Sequence, residues 1–451
     1  MKLHLQHFAI FLFLWSFQGT AALIDETRNL AGLSSSVCDR IIRSKTSTVK
    51  DYLRFDVPTE SNHSMANALP TYVCGKIPCP EVEAIVRNGG KIKVLGLPPE
   101  ILKFCKEKLK FRAFEPNEIS KQKPGKKENI YRPVFYTTSE PIKNMVVSVM
   151  SGSDYLQQVA ALLAYQVEHK IGADPIKTIE VTEFPDLEGS FPFWTDLSSF
   201  VRPNDTVLIG NVASFSSYIR DNGGFSFIDE KENYFYKSTR VWFGTRVLNF
   251  LMVKHTFWGN MSALLAETIL KQSVFELIYM SKVATLKDAN DIYQKSYAPS
   301  RFVLLRDGHI EKLSDIKNYI AEYYPDLNSG LHLSVATVME EDVNMTRLAK
   351  SLGAKSLDLE LSHIVKAIQK SNKALARKTR FGSVHIVTDY LRDEGEQSKE
   401  INFDLSNSRS QEASALKKKS WDQIYVLLSK YLGAKPEGIK STQNHAKLPP
   451  R

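Results

Sequence analysis

Three carboxylates stand where stretches with the pattern of buried strands run into polar residues. The segment 330–390 contains GLHLSVATV, then AKSLDLELSHIVKA, then FGSVHIVTDY, and it carries Asp358, Glu360 and Asp389 at such ends. In an α/β sheet, ligands bind outside the carboxyl ends of the strands, where loops aim side chains at a substrate. Carboxylates in that position are candidates for substrate binding and for proton transfer.

Each of these side chains also has a structural interpretation. An aspartate after a strand most commonly caps the helix or loop that follows, which accounts equally well for Asp358 and Asp389. Glu360 in the first turn of a helix would be solvated and favoured by the helix dipole. His332 and His385 lie within apolar alternation, where histidines are more often core or surface residues than ligands. The sequence alone leaves both interpretations open.

The elements that must position these residues alternate between strand and helix from Asn144 onward. The apolar runs MVVSVM, TIEV, TVLIG, VLNFLMVK, FELIYM and FVLL are typical of strands. Helices are predicted for YLQQVAALLAYQVEHKI, capped by Ser153 or Asp154, for NMSALLAETILKQ, and for residues 313–323 and 415–432. This alternation predicts an α/β fold with a mostly parallel or mixed sheet covered by helices, preceded by a small disulfide-containing module.

The first 22 residues have the pattern of a secretory signal. Lys2 precedes the apolar core FAIFLFLWSF, and small residues follow near a cleavage point. This core is too short for a stable membrane anchor, and no later run reaches ~18 apolar residues. The pattern predicts a secreted or otherwise extracytoplasmic protein. The alternative is a leader for an organelle reached through the secretory route.

All four cysteines, Cys38, Cys74, Cys79 and Cys105, fall in one region. An even number of cysteines in an exported chain predicts disulfides, with three connectivities open. The metal interpretation is weaker, because the CGKIPC spacing exceeds that of a zinc knuckle and no histidine pair follows; no metal is predicted. We therefore expect a signal at 1–22, a cysteine-bearing module with a basic linker at 23–130, an α/β domain at 131–432 and a disordered tail at 433–451.

The net charge of +9 comes largely from basic runs in the linker and the tail. Because no folded stretch interleaves basic and aromatic residues, nucleic acid is not an expected partner. Four Asn-x-Ser/Thr sequons, at Asn62, Asn204, Asn260 and Asn344, are compatible with a glycosylated exported chain, although such sequons also arise by chance.

Residues 245–432 resemble the nucleoside phosphorylase and nucleosidase superfamily at three places. HTFWGNMSALLAETIL is similar to the family's glycine-bearing turn into a helix. SLDLELSHIV is similar to its Asp-Met-Glu strand end, with Leu359 in place of the methionine. VHIVTDY is similar to its Ser-Asp strand end, with Thr388 in place of the serine. The order and approximate spacing of the three also fit.

The resemblance implies roles for individual residues. Glu360 would orient the ribose through its hydroxyls, and Asp389 would protonate the departing base, which requires a raised pKa. Asp358 would support the site from the strand end, while His332 and His255 would contact sugar or phosphate. An aromatic side chain is expected to stack on the base, with Phe257, Trp258 and Tyr390 as the candidates.

The chain departs from the family after FELIYM, where the family has a glycine-rich loop. Here the residues are Ser281 to Thr285, whose side chains obstruct the approach of an anion, although Lys282 would supply a compensating charge. The arginine cluster that phosphorolysis would use is not identifiable either, which favours hydrolysis. No GxGxxG or Walker motif occurs in a supporting context.

The predicted function is cleavage of the N-glycosidic bond of a nucleoside by hydrolysis or phosphorolysis. The expected partners are a small-molecule nucleoside and, for phosphorolysis, phosphate. No cofactor is implied, and a homo-oligomer is compatible with the sequence. The alternative is a non-catalytic exported ligand-binding or interaction protein that kept the fold and lost the loop glycines.

Overall fold

Two sheets with helices against their faces form the folded part of the chain. The structure is a computed structural model that describes residues 46–53, 55–58, 69–97, 115–117, 133–138, 143–150, 152–184, 189, 195–222, 224–255, 257–374, 378–392 and 411–433. Four predictions lie outside these residues: the signal at 1–22, the bonding of Cys38 and Cys105, the sequon at Asn62, and the tail from 434.

The first sheet has six strands in the order β1-β6-β2-β5-β4-β3. At its centre β2 is parallel to both β5 and β6, while β1, β3 and β4 pair antiparallel at the two sides. The strands are β1 (Ser47–Thr48), β2 (Ile92–Leu95), β3 (Glu115–Asn117), β4 (Val134–Thr137), β5 (Met145–Ser148) and β6 (Ile179–Thr182).

The helices of this first half are α1 (Val49–Tyr52), α2 (Leu69–Cys74), α3 (Cys79–Arg87), α4 (Ser153–Tyr165, continuing as a π-helix over Gln166–Ile171) and α5 (Pro175–Thr178). A disulfide joins Cys74 at the end of α2 to Cys79 at the start of α3. In α4 every residue after the first is buried. A helix that is buried all round has no solvent face, so α4 packs as an internal element.

The second sheet is mixed and has the order β14-β13-β15-β16-β11-β7-β10-β9-β8, with β17 paired to β11 and β12 paired to β17. Its strands are β7 (Thr206–Gly210), β8 (Phe225–Glu232), β9 (Tyr236–Phe243), β10 (Arg246–Val253), β11 (Glu276–Thr285), β12 (Ser296–Tyr297), β13 (Arg301–Arg306), β14 (His309–Leu313), β15 (Leu331–Ser334), β16 (Ala354–Asp358) and β17 (Arg380–Tyr390).

The helices of the second half are α6 (Val212–Asn222), α7 (Asn260–Leu270), α8 (Tyr319–Tyr323), α9 (Val343–Ser351), α10 (Leu361–Ala374) and α11 (Gln411–Gly433). In α10 the buried residues follow helical spacing, since Leu361, Ile364, Val365 and Ile368 are fully buried while lysines occupy the other face. Such an amphipathic helix covers a sheet with one face and meets water with the other.

The central strand β11 connects the two parts of the second sheet. It is parallel to β7 and β17, and beyond a bulge at Val283/Ala284 its last residues also pair antiparallel with β16. The predicted FELIYM strand is therefore longer than expected and ends at Thr285. The α/β fold class, with a mixed sheet, covering helices and a disulfide in the first half, is confirmed.

One apolar core connects the two halves of the chain. The same cluster contains Val73 and Ile85 from the first half and Leu277 and Ile364 from the second. The first sheet draws strands from both sides of residue 130, so the sheets do not divide at the predicted domain boundary. Within the described residues, no helix has the length and apolar character needed to cross a membrane.

Candidate active site

Asp358 accepts several hydrogen bonds at the predicted strand end. It is buried at the end of β16, where it accepts hydrogen bonds from His332 Nε2 at 2.9 Å and Ser334 Oγ at 2.7 Å. The backbone N–H groups of Glu360 and Leu361 donate to the same carboxylate at 3.1 and 3.0 Å. Burial alone would raise the pKa of Asp358, but the charge and hydrogen bond of His332 and the bond from Ser334 lower it below its usual value.

His332, one of the hydrogen-bond partners of Asp358, is fully buried. Its Nδ1 lies 2.9 Å from Ser356 Oγ, and its Nε2 is held by Asp358. Because both ring nitrogens are bound to protein, the imidazole has no free edge for a sugar or phosphate. The contacts of Asp358 and His332 thus correspond to the structural interpretation of these two residues.

Glu360 lies two residues after Asp358 and is partly exposed. Tyr279 donates its hydroxyl to Glu360 Oε2 at 3.4 Å, and Ser262 Oγ donates to the Glu360 backbone carbonyl at 3.1 Å. Burial, together with the negative charge of Asp358, raises the pKa of Glu360 to about 8. At neutral pH the Glu360 carboxyl group is therefore mainly protonated.

Asp389 lies near the end of β17 and is 6% exposed. The hydroxyl of the preceding Thr388 donates to its carboxylate. Tyr72 of α2 lies near enough that Asp389 contributes to raising the pKa of Tyr72, after burial and the charge of Glu341. The charge of Asp389 therefore acts on a helix from the first half of the chain.

The strand register places the two strands that carry these acids on the two sides of β11. Ala284 of β11 pairs with Leu357 on one side and with Asp389 on the other. Neighbouring strands lie ≈ 4.7–4.9 Å apart, so Leu357 and Asp389 are roughly 10 Å from each other. We call this region, formed by Asp358, Glu360 and Asp389, the carboxyl edge. Because β16 runs antiparallel to β11 and β17 runs parallel to it, Asp358 and Glu360 follow Leu357 in the direction away from Asp389.

The three predicted aromatic residues have different surroundings, and among the described contacts only Phe257 is connected to Glu360, through Tyr279. The ring of Phe257 is 6.4 Å from that of Tyr279, which binds Glu360. Trp258 lies 5.1 Å from Tyr155 of α4, and its indole N–H has no hydrogen-bond partner. The third candidate, Tyr390, is buried in a separate apolar cluster.

Two predicted binding residues have their contacts elsewhere. His255 Nε2 lies 3.2 Å from the hydroxyl of Tyr236, which also binds Thr195 at 2.9 Å. Lys282 is exposed on β11, and no described contact connects it to Glu360. Asn204 and Asn344 are exposed, whereas Asn260 is partly buried at the start of α7.

Three residues near the carboxyl edge were not identified as site residues from the sequence. Tyr279 lies in an apolar strand, and its hydroxyl group is the only feature of the sequence there that could indicate a polar contact. His385 is fully buried 5.6 Å from the Tyr279 ring, and burial lowers its pKa to about 3. Neither of its ring nitrogens has a hydrogen-bond partner among the described residues. Asp154 is buried at the start of α4 and binds Arg306 at 3.1 Å. Its partners are far away in sequence, so no local pattern indicated them.

The surroundings of the carboxyl edge are acidic. Burial, with the charges of Asp154 and Asp307, raises the pKa of Glu340 to about 7. Burial lowers the pKa of His363 to about 4, so this imidazole is neutral at physiological pH. Among the residues that the structure describes, no group of three or more His, Cys, Asp or Glu side chains has the arrangement of a metal site.

A surface depression of about 430 Å³ lies apart from these acids, between α6 and strands β8 to β10. Its lining is mainly apolar and includes Phe225, Phe227, Val241 and Phe250. Since none of the carboxyl-edge acids lines it, we do not place the chemistry there.

Comparisons with known proteins gave partial matches, and no protein-family model matches the chain. The curated protein "Oxidoreductase cns1" of Cordyceps militaris is 24% identical over 378 residues, which cover 80% of this chain and 47% of that protein. The chain thus spans about half the length of this relative, and the rest of the relative has no counterpart in it.

Among solved structures, the chain is similar over about half its length to nucleoside-processing enzymes. A putative methylthioadenosine nucleosidase from Weissella paramesenteroides is 13% identical, with 51% of this chain and 98% of that chain covered and a TM-score of 0.36. Uridine phosphorylase from Vibrio fischeri is 10% identical, with 52% and 93% covered and a TM-score of 0.39. The weak, partial resemblance expected from the sequence is present, but values this low carry no argument about activity.

Proposed function

We propose that this protein cleaves the N-glycosidic bond of a nucleoside by hydrolysis. The observation that supports the proposal is the pairing of β16 and β17 on the two sides of β11, which puts Leu357, three residues before Glu360, about two strand spacings from Asp389. The two motifs that supply these acids are those that resemble the nucleosidase superfamily. Carboxyl ends of strands are also where α/β folds bind their ligands.

The two acids would take different roles. Glu360, fixed by Tyr279 and by its anchored backbone, would bind the ribose hydroxyls. Asp389 would give its proton to the base as the bond to the sugar breaks and positive charge develops on the ribosyl carbon. Water would then add to that carbon and lose a proton to the Asp389 carboxylate, which restores the acid. Phe257, next to Tyr279, is the best-placed aromatic residue for contact with the base.

Hydrolysis is favoured over phosphorolysis by the charges around the carboxyl edge. Phosphate binding requires cations or free backbone N–H groups. Arg306 is paired with Asp154, His363 and His385 are neutral, and Lys282 shows no described contact with the site. None of these four groups therefore offers a phosphate cosubstrate an available positive charge at the described site.

A non-catalytic binding protein is the second candidate, and one specific observation favours it. Ser281 to Thr285, which replace the family's glycine-rich loop, continue strand β11 and pair with β17, and the last two residues also pair with β16. Backbone N–H groups committed to strand pairing are not available to a substrate. Such a protein would bind nucleosides without turnover.

The relative named as an oxidoreductase does not lead us to propose redox chemistry. The chain lacks a glycine fingerprint for a dinucleotide, and it matches less than half of that relative's length. The activity in its name therefore remains a statement about the longer protein.

We also propose that the chain is exported. The leader-like pattern at 1–22 supports export, and the Cys74–Cys79 disulfide is compatible with it because structural disulfides persist in oxidising compartments.

The test is release of free nucleobase from a panel of nucleosides by the purified mature chain, with and without phosphate. Phosphate-independent release is the expected result.

Asp389→Asn should reduce turnover by a factor of about 10²–10⁴ without changing the fold, because general acid catalysis typically contributes that much. Asp326→Asn, at an exposed acid on the loop before β15, is the matched control and should retain activity. Nucleoside binding without release by the wild-type chain would support the binding-protein alternative, and undiminished turnover of Asp389→Asn would exclude the acid role.

A further inference from the structure

Two helices from different halves of the chain meet end to end beside Glu360. The N-cap residues of α4 and α7 are Gly152 and Gly259, and neither helix has a side-chain cap of its own. A Cβ on Gly152 would lie 2.6 Å from Met261 Cγ, and one on Gly259 would lie 2.5 Å from Asp154 Cβ. The glycines therefore permit an approach that any larger residue would prevent.

Each helix instead receives a cap from the other. Asp154 of α4 accepts a hydrogen bond from the backbone N–H of Asn260, the first residue of α7, at 2.8 Å. The Asp154 backbone N–H in turn points to Asn260 Oδ1 at 3.5 Å. A carboxylate at a helix N-terminus satisfies N–H groups that lack partners and is favoured by the helix dipole.

Asp154 also contacts two further elements of the second sheet. Its Oδ1 lies 3.1 Å from Arg306 of β13, and its Oδ2 lies 3.5 Å from His363 Nε2 of α10. Asp154 is 1% exposed, so these contacts form away from water. One side chain of the first half therefore binds the start of α7 and a strand end, and lies against the first turn of α10.

Both helices held by Asp154 lead directly to Glu360. Ser262, two residues after Asn260, donates its hydroxyl to the Glu360 backbone carbonyl at 3.1 Å. His363 is three residues after Glu360 on α10. Asp154 is thus connected to Glu360 along two short routes. One leads through the start of α7 to Ser262, and the other leads through His363 of α10.

We propose that Asp154 is a positioning residue through which the first half of the chain sets the place of Glu360. Its meaning for catalysis rests on the proposed nucleosidase function. The physical coupling between Asp154 and Glu360 is independent of that function and can be measured without a substrate.

Amide hydrogen exchange of the unliganded full chain tests the coupling. In Asp154→Ala, residues 260–264 and 358–363 should exchange roughly fivefold to tenfold faster, as expected for the loss of a helix cap. Asp154→Asn keeps an oxygen that can accept from Asn260 N, so it should restore most of the protection and remain folded. Ser262→Ala should speed exchange at 358–363 more than at 260–264.

Asp342→Ala is the matched control, because Asp342 accepts a bond from Met345 N at 2.8 Å and caps only α9. Unchanged exchange at 358–363 in Asp154→Ala, with a melting temperature lowered as in the control, would overturn the proposal. With an active wild-type chain, Asp154→Ala should also lower kcat/KM and shift its pH profile near 8. An inactive wild-type chain with faster exchange at 358–363 would reject the nucleosidase function and leave the positioning role intact.

Discussion

Two carboxyl groups that stand two positions apart, Asp358 and Glu360, have pKa values displaced in opposite directions. Asp358 is held ionised by His332, Ser334 and backbone N–H groups, and this charge, together with burial, keeps Glu360 protonated. Pairs of acids whose environments separate their pKa values are typical of sites that need one ionised and one neutral group. The pair therefore permits a direct test of the role of Glu360.

The pH dependence of kcat/KM separates the two roles open to Glu360. A carboxylate that accepts hydrogen bonds from ribose must lose its proton first, so activity should rise as the pH increases through about 8, the pKa of Glu360. Glu360→Gln should abolish this rise and lower kcat/KM by roughly 10- to 150-fold, the value of a charged hydrogen bond. A profile that falls as the pH passes 8 would instead identify Glu360 as the proton donor.

The buried pair of His332 and Asp358 should stabilise the fold. Asp358→Ala removes the partner of His332 and of two backbone N–H groups, so we expect a loss of about 3–5 kcal/mol in the free energy of unfolding. Urea unfolding at pH 7 measures this loss. Asp342→Ala, which removes only a helix cap, should cost about 1 kcal/mol. Equal losses in the two variants would contradict the buried-pair interpretation.

The same pair has a defined pH dependence. The pKa of Asp358 is lower in the folded chain than its ordinary value of about 3.9. Its contribution is therefore complete above that ordinary value and disappears as the pH falls through the lower folded pKa. The difference in unfolding free energy between wild type and Asp358→Ala should shrink on acidification below pH ~4.

At the scale of elements, the junction of α4 and α7 depends on the absence of a side chain at Gly259. Gly259 has φ +56° and lies against Asp154, so Gly259→Ala must displace that carboxylate as well as adopt a left-handed backbone. Gly308 also has positive φ, +74°, but a Cβ there meets nothing within 4 Å. Thermal or urea unfolding should show a loss of about 1–2 kcal/mol for Gly308→Ala and clearly more for Gly259→Ala. Similar losses would mean that α4 and α7 separate easily.

This junction also shows what the sequence could and could not predict. The helical period of α4 was visible, but Asp154 was expected to cap its own helix. It caps α7 instead, 106 residues away, because two glycine N-caps allow the helix ends to meet. That Glu360 and Asp389 lie close to the ends of buried strands was predictable, but the opposite directions of β16 and β17 were not. The extension of β11 to Thr285 was not predictable either, because it depends on pairing with both β16 and β17.

At the scale of the whole molecule, the first half of the chain contributes to the carboxyl edge. Burial and nearby charges that include Asp389 raise the pKa of Tyr72 of α2, and Asp154 of α4 caps α7, whose Ser262 binds the backbone of Glu360. Gln158 of α4 donates to Tyr72 at 3.3 Å and accepts from Thr337, which follows β15. With an apolar core common to both halves, the first half is part of the site's framework.

The exposure of the sequons leads to a prediction that tests the proposed export. Asn204 and Asn344 are exposed, so a chain made through a eukaryotic secretory route should carry glycans at both. Asn260 lies between α7 and α4, with its Oδ1 3.5 Å from Asp154 N, so the folded chain has no room for a glycan there.

Peptide mapping of the secreted protein before and after enzymatic deglycosylation measures occupancy at each position. Asn204→Gln and Asn344→Gln should each remove one glycan, and Asn260→Gln should remove none. An occupied Asn260 would contradict the close packing of α4 and α7, whereas a chain retained in the cell without any glycan would contradict export.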